Sequence, residues 1–378
     1  MTTTNRLLIA GGGTGGHIYP GVAIAEAWLR LVPGASVVFV GSERGLESRI
    51  VPALGYSLVH VETHRLKNAG AVERLRGLVR MPLALWAAAK VVRKASPVAV
   101  LGVGGFVSGP VVLAAAALGL PCAVAEQNAL PGLTNRLLSR FVRRIYTAFP
   151  EAASGLPAGK IRLLGNPVRE GIRALASTAP TQSGPCRILV MGGSQGARAL
   201  NERVPAGLAA LASRAPISVR HQCGRGNAAA VRAAYDAVGL NAVRVEEFID
   251  DVAGALAEVD VVVARAGATT VAELSCVGRP AVFIPFPHAA DDHQTLNARS
   301  LVDASAARMI READLNTESL VEALLDLATE PTLRAEMGRR ARERGRPNAA
   351  VDIVRDLWAL SGHSESMLTA PRRVEADS

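Results

Sequence analysis

Leu7-Leu8-Ile9-Ala10-Gly11-Gly12-Gly13-Thr14-Gly15-Gly16-His17 reads as a buried strand, a tight glycine turn and the opening of a helix. Glycines let the backbone take positive φ and bring a ligand close to the amides, and the following helix points its positive end at the same spot. The stretch is a place to put a phosphate or diphosphate. Gly11, Gly13 and Gly16 also satisfy G-x-G-x-x-G, a spacing shared by dinucleotide enzymes and many other nucleotide sites. The turn locates a site without naming a reaction.

Outward from that turn, short Val/Ile/Leu runs alternate with Ala/Leu-rich helical stretches, which is the pattern of an α/β fold with a parallel sheet. The spacing predicts strands at Arg6–Ala10, Ser36–Val40, Ser57–Val61, Val98–Leu101, Cys122–Ala125 and Arg143–Thr147, and a first helix from near Ile18 to Leu31 with Pro20 in its opening turn. A second round begins at Ile188: Ile188-Leu189-Val190-Met191-Gly192-Gly193-Ser194-Gln195-Gly196-Ala197 echoes the first turn at a constant offset of 181. Strands follow at Ile217–Gln222, Ala242–Phe248, Val259–Ala264, Ala281–Ile284 and Ala307–Ile310, then helices around Asn316–Ala328, Pro331–Arg344 and Asn348–Leu360. Two doubly wound, Rossmann-like domains are expected, 1–165 and 166–345, with a C-terminal helix over 346–360 and a disordered polar tail over 361–378.

The chain has 378 residues, 49% of them hydrophobic, enough for two cores. Forty-two Lys and Arg against 33 Asp and Glu leave a formal charge of +9, which favours an acidic partner. Aromatics are only 4% and no basic run is interleaved with them, so a nucleic-acid stacking platform is not expected. Cys122, Cys186, Cys223 and Cys276 form no CxxC or Cys/His cluster, which argues for reduced thiols without zinc. No apolar leader precedes the first strand, so an intracellular chain is expected. Pro97–Ala125 carries no charge until Glu126, but its Gly and Pro residues divide it into strand, turn, helix and strand rather than a membrane span. In residues 72–92, Val72, Leu75, Leu78, Val79, Leu85, Trp86 and Ala89 recur at helical spacing beside Arg74, Arg76, Arg80, Lys90, Arg93 and Lys94. Pro82 is expected to split this stretch into two helices. It reads either as a helix for an anionic lipid surface or as an ordinary helix packed on the sheet.

Ligands of open α/β sheets bind at strand C-terminal ends, so two such domains facing each other would gather their loops in an interdomain cleft. In the second half, Gly267-Ala268-Thr269-Thr270-Val271-Ala272-Glu273 follows an apolar strand, and Thr269 or Thr270 is expected to cap a helix whose amides hold a diphosphate. Glu273 either accepts hydrogen bonds from ribose hydroxyls or supports its own helix terminus. Gln294 and Asn297 either read sugar hydroxyls or are exposed helix residues. His17, at a helix N-terminus, is a candidate base held neutral by the helix dipole, or a residue that bonds phosphate or caps the turn. No Asp-x-Asp pair occurs, so neither a metal nor another cofactor is expected.

Gly-Gly-Thr-Gly-Gly-His at 12–17, Gly-Val-Gly-Gly-Phe-Val-Ser-Gly-Pro at 102–110, Glu-Gln-Asn at 126–128, Gly-Asn-Pro-Val-Arg at 165–169, Gly-Gly-Ser-Gln-Gly-Ala at 192–197 and Asp-His-Gln at 292–294 together resemble the MurG family of bacterial peptidoglycan N-acetylglucosaminyltransferases. The resemblance runs in order from about residue 6 to 345 and implies a GT-B glycosyltransferase. Such an enzyme moves GlcNAc from UDP-GlcNAc, with inversion, to the C4 hydroxyl of undecaprenyl-diphospho-MurNAc-pentapeptide, turning lipid I into lipid II. By the same resemblance Thr14, Gly15 and Gly16 would line the donor and diphosphate, and Asn128 would bond GlcNAc. Arg169 and Ser194 would contact the nucleotide diphosphate, Ile249 would present backbone to uracil, and Gln294 would bind GlcNAc hydroxyls. Ala268, Thr269, Thr270, Val271, Ala272 and Glu273 would hold phosphate and ribose. His17 would act as base or orient the acceptor. Phe106 stands where several relatives have Tyr. The first domain would face acceptor and membrane, at the cytoplasmic face of the bacterial inner membrane, where other cell-wall synthesis proteins are possible partners; the second would bind UDP-GlcNAc.

The rivals are a UDP-GlcNAc epimerase of the same layout, an NAD(P)-dependent oxidoreductase and a non-catalytic nucleotide-sugar binder. The oxidoreductase is disfavoured because the strand Ser36–Val40 ends in Gly41-Ser42 rather than at a ribose-binding carboxylate.

Overall fold

The computed structural model describes residues 5–43, 45–61, 71–177, 184–193, 196–289 and 292–369, with side chains from residue 82 onward in the helix that begins at 71. The chain forms two compact units, one of residues up to Arg169 together with those from Asn348, the other Glu170–Pro347. The division therefore falls four residues beyond the expected position, and the chain returns to the first unit after residue 347.

In the first unit β1 (Asn5–Ala10), β2 (Ala35–Gly41), β3 (Ser57–His60), β4 (Ala99–Gly102), β5 (Cys122–Glu126), β6 (Arg144–Thr147) and β7 (Ile161–Leu163) form a parallel sheet in the order β3-β2-β1-β4-β5-β6-β7. Successive side chains of a strand point to opposite faces, and β1 shows it. Leu7 and Ile9 join a core with α1 (Gly15–Leu31) and the C-terminal α14 (Ala349–Leu360). Leu8 and Ala10 join another with residues of α3 (Ala71–Ala95), α4 (Ser108–Ala117) and α5 (Leu133–Leu138). Because both faces are covered, these strands read as continuous apolar runs.

Three local expectations fail in this unit. The first helix starts at Gly15, so Pro20 is its sixth residue rather than part of the opening turn. Pro82 lies inside the single helix α3 and does not divide it; Ala88 and Val92, further along the same helix, are fully buried against the sheet, and that packing outweighs the lost backbone bond. Residues 361–369 are not a loose tail: His363 stacks on Trp358 at 3.9 Å, and the Thr369 backbone N–H donates to Leu31 O at 2.8 Å. Residues 370–378 lie outside the described residues. As expected, the stretch from 97 to 125 divides into β4, α4 and β5, and among the described residues no helix is long and apolar enough to cross a membrane.

The second unit repeats the plan with β8 (Cys186–Met191), β9 (Ile217–Gln222), β10 (Val243–Glu246), β11 (Val261–Ala264), β12 (Ala281–Phe283) and β13 (Ala307–Met309) in the parallel order β10-β9-β8-β11-β12-β13. Ile188 and Val190 pack on α7 (Arg198–Ala212), α8 (Ala228–Ala237) and α12 (Thr317–Thr329). The unit opens with α6 (Glu170–Ala174); α9 (Val252–Glu258), α10 (Ala268–Val277) and α11 (His293–Val302) follow further along, and α13 (Pro331–Arg344) closes it. All four cysteines are free and buried.

His221 on β9 is wholly buried, with Nδ1 2.9 Å from the Tyr235 hydroxyl and Nε2 3.2 Å from Asn201 Oδ1. Burial pulls its pKa down from 6.5 to about 4. Between those values the unfolded chain binds the proton that the folded chain refuses, so stability rises with pH through this window and is lost as pH falls. The second unit is expected to lose on the order of 3 kcal/mol from this group between pH 6.5 and 4. Urea unfolding at both pH values measures it, and a His221→Gln variant should flatten the difference.

Candidate active site

In each sheet the strand order reverses beside its first strand, β1/β4 in the first unit and β8/β11 in the second, and loops at such points carry ligands in open α/β folds. The glycine turn after β1 is packed backbone to backbone against the turn after β4. Gly12 N–H reaches Gly104 O at 3.4 Å, and a Cβ on Gly105 would lie 2.5 Å from Gly12 O. Neither turn tolerates a side chain there.

The amides of this turn are already committed. Gly11 N–H donates to Val40 O at 3.1 Å and Gly13 N–H to Glu47 Oε2 at 2.7 Å. Glu47, the first residue of α2 (Glu47–Ala53), is 1% exposed; its Oε1 accepts from Ser42 N–H at 2.9 Å and Ser42 Oγ–H at 2.7 Å. Burial pushes this carboxyl up, but the bonds from Gly13 and Ser42 together outweigh it and hold its pKa below the usual range. The amides of Gly11, Gly12 and Gly13 are therefore spent within the protein rather than offered to an anion. A carboxylate does follow β2, but it braces the glycine turn from beneath. Nothing in the sequence around Glu47 marks it, because its partner Gly13 comes from another loop, thirty-four residues earlier.

His17 is the third residue of α1. Its Nδ1 lies 3.1 Å from Gly12 O and 3.3 Å from Thr14 Oγ. A carbonyl can only accept, so Nδ1 carries the proton of the neutral ring, and Nε2 is the nitrogen with the lone pair. Thr14 is extended at the N-cap and its side chain caps no amide.

Glu126, buried at the end of β5, accepts from Asn128 N–H at 3.0 Å, Gly132 N–H at 2.9 Å and Asn135 Nδ2–H at 2.9 Å. It shapes the loop that carries Asn128, and Gln127 ties that loop to Val103 O at 3.2 Å. Arg169, expected in the nucleotide-binding half, belongs to the first unit, where its guanidinium lies 4.6 Å from the centre of the Tyr19 ring.

In the second unit the turn after β8 is held from below by Gln222, whose Nε2 donates to Gly193 O at 3.0 Å and to Glu247 O at 2.9 Å. One side chain thus ties the glycine turn to the stretch leading into Ile249. Ile249 itself is buried. Ser194 and Gln195 lie outside the described residues. The helix after this turn starts at Arg198, two residues later than the offset of 181 predicts from Gly15.

Gly267, not a threonine, is the N-cap of α10, and no side chain caps it. Ala268, Thr269 and Thr270 form its first turn, which suits an anion at the positive end. Glu273 is the sixth helical residue and 6% exposed, too far along for a capping role. Val271 and Glu273 are buried in this helix, with Ala272 half-buried between them. Gln294 accepts at Oε1 from Phe286 N–H at 2.9 Å, so contact with a sugar would fall to its NH2. Asn297 is fully buried and donates to Ala266 O at 3.2 Å, which corrects its reading as a sugar-facing or exposed residue. Among the described residues no three His, Cys, Asp or Glu side chains are grouped to hold a metal ion.

Comparison with known proteins bears on both units. The glycosyltransferase family 28 N-terminal domain model matches residues 7–147 and the C-terminal domain model residues 187–353. A Myxococcus xanthus protein named UDP-N-acetylglucosamine--N-acetylmuramyl-(pentapeptide) pyrophosphoryl-undecaprenol N-acetylglucosamine transferase is 42% identical over 376 residues, covering 97% of this chain and 98% of its own. The crystal structure of Acinetobacter baumannii MurG matches with a TM-score of 0.77 and 33% identity over 94% of this chain and 99% of that one. The UDP-GlcNAc 2-epimerase of Neisseria meningitidis, at 14% identity and a TM-score of 0.67 over 94% of this chain and 100% of its own, shares the fold alone. The chain therefore has the GT-B fold and belongs to the MurG family within glycosyltransferase family 28.

Proposed function

We propose that this chain is the inverting glycosyltransferase that moves GlcNAc from UDP-GlcNAc to the C4 hydroxyl of MurNAc in undecaprenyl-diphospho-MurNAc-pentapeptide, making lipid II from lipid I. The observation that carries this reading is the end-to-end match to a relative of that printed name. His17 Nε2 takes the proton of the acceptor hydroxyl as its oxygen bonds to the anomeric carbon. The bond from that carbon to the diphosphate breaks on the opposite face, and its electron pair leaves with UDP. The uncapped first turn of α10, bearing Ala268 to Thr270, supplies preorganised donors for the leaving diphosphate; Glu273 holds the ribose, and Asn128 and Gln294 hold GlcNAc. No metal takes part. Transfer of radiolabelled GlcNAc to a lipid I analogue, with and without EDTA, tests this; conversion of the donor sugar without acceptor would instead identify an epimerase.

The acceptor is lipid-linked, and the same reading places the protein peripherally on an anionic, cytoplasmic membrane face. Supporting it, Leu83 and Trp86 on α3 are 66% and 62% exposed, with Lys90 Nζ 4.3 Å from the Trp86 ring centre. On α5 and just after it, Leu133, Leu137 and Phe141 are exposed beside Arg136 and Arg140. Apolar side chains rimmed by basic ones suit an anionic bilayer surface. Co-sedimentation with phosphatidylglycerol liposomes is expected to weaken with salt and to fall several-fold in a Leu83→Ser/Trp86→Ser double variant; binding indifferent to lipid charge would count against it.

A further inference from the structure

The contacts of Glu47 and His17 meet on one peptide group. Gly13 N–H, which donates to Glu47 Oε2 at 2.7 Å, and Gly12 C=O, 3.1 Å from His17 Nδ1, are the two ends of the same amide. No described peptide bond is cis, so the N–H and C=O of this unit point in opposite directions, one to the carboxylate and one to the imidazole.

The geometry points to Glu47 as a positioning residue that acts on His17 through this single peptide unit, orienting the ring and fixing its proton on Nδ1. The inference rests on the reading of His17 as the base. A carboxylate on the N–H end polarises the amide and makes its carbonyl a stronger acceptor. The strengthened carbonyl favours the Nδ1–H tautomer and steadies the imidazolium once Nε2 has taken a proton. No proton crosses the peptide; Glu47 stays ionised throughout.

The packing around the carboxylate supports a built device. A Cβ placed on Gly12, Gly41 or Gly45 would lie 2.2, 2.5 or 2.0 Å from Glu47 side-chain atoms, so three glycines from two loops make room for this one side chain. Gly12 at φ +156 and Gly13 at φ +89 give the peptide the orientation it needs. The bond that braces the glycine turn is thus made to the amide whose carbonyl faces the candidate base.

Nitrogen-15 spectra of the histidine rings in the full-length wild-type protein come first, with His17→Ala used to assign the signals. His17 is expected as the Nδ1–H tautomer at pH 8; an Nε2–H tautomer overturns the proposal without reference to activity. In Glu47→Gln, the Gln amide must face either Gly13 N–H or the Ser42 donors, donor against donor. That variant is expected to lose about tenfold or more in kcat, less than the loss from removing the base itself, with KM for UDP-GlcNAc within twofold. The acid limb of its kcat profile should move to lower pH, and a mixed His17 tautomer should appear. A Glu47→Asp variant, which keeps the charge but draws it back from Gly13, should change in the same direction and serves if the Gln variant does not fold. Loss of thermal stability with unchanged tautomer and pH profile in a folded variant would show a structural role only. If His17→Ala itself retains turnover, the base reading fails, while the tautomer comparison still decides whether Glu47 governs the ring.

Discussion

His17→Ala is expected to lower kcat for GlcNAc transfer by roughly 100-fold or more at saturating donor and acceptor, the lower end of what a positioned general base contributes. KM for UDP-GlcNAc should change little, because the residues proposed to hold phosphate and ribose, Ala268 to Glu273, are carried by the other unit. The fold should survive, since the ring is half-buried and its described partners are Gly12 O and Thr14 Oγ. A fall of less than about tenfold would remove the base assignment, leaving His17 to orient the acceptor. A loss confined to KM for lipid I would point the same way.

Trp358→Ala is expected to destabilise the first unit by about 3 to 5 kcal/mol, the range for emptying an aromatic site in a packed core. Trp358 is fully buried, meets Trp28 edge-on at 5.9 Å between ring centres and carries His363 on its face. Its indole N–H donates to Ser364 O at 3.0 Å. Two residues earlier, Asp356 accepts from the Tyr146 hydroxyl at 2.8 Å and from Arg144 Nε at 3.1 Å, joining α14 to β6. Removing everything after residue 347 should therefore be worse than the point change, because it also strips Ile353, Val354 and Leu357 from the core shared with α1. Urea unfolding should show the first unit melting early while the second is unmoved. A change below about 1 kcal/mol for Trp358→Ala would mean that the site collapses around the lost ring.

Much of the fold was legible because its signals are local. Continuous apolar runs bounded by glycine mark buried parallel strands whatever surrounds them, and Pro331 and Asn316 mark helix starts by their own chemistry. The repeated turns at Gly11 and Gly192 revealed two similar halves for the same reason. Local rules failed where packing overrode them. Pro82 reads as a break, yet α3 continues because Ala88 and Val92 are pinned to the sheet. Residues 361–369 look like a polar tail, yet Trp358 and Leu31 supply partners from elsewhere.

The candidate site divides in the same way. Residue types and order nominated His17, the α10 segment with Glu273, and Gln294 as candidates, and the six ordered motifs carried the family. Which atom of each residue is available was not legible. Asn297 faces Ala266 O rather than solvent, Gln294 spends its carbonyl on Phe286, and Thr269 and Thr270 leave the cap to Gly267.

By itself the sequence determined two parallel-sheet domains, a glycine turn after the first strand of each and membership of a glycosyltransferase family, because apolar periodicity and turn chemistry are properties of neighbouring residues. Only the tertiary structure decided that the last helix belongs to the first unit, and that Glu47, thirty-four residues beyond Gly13, takes the amide the glycine turn was expected to offer a phosphate. A hydrogen bond is fixed by distance and direction in space, and neither is written in the spacing of residues along the chain.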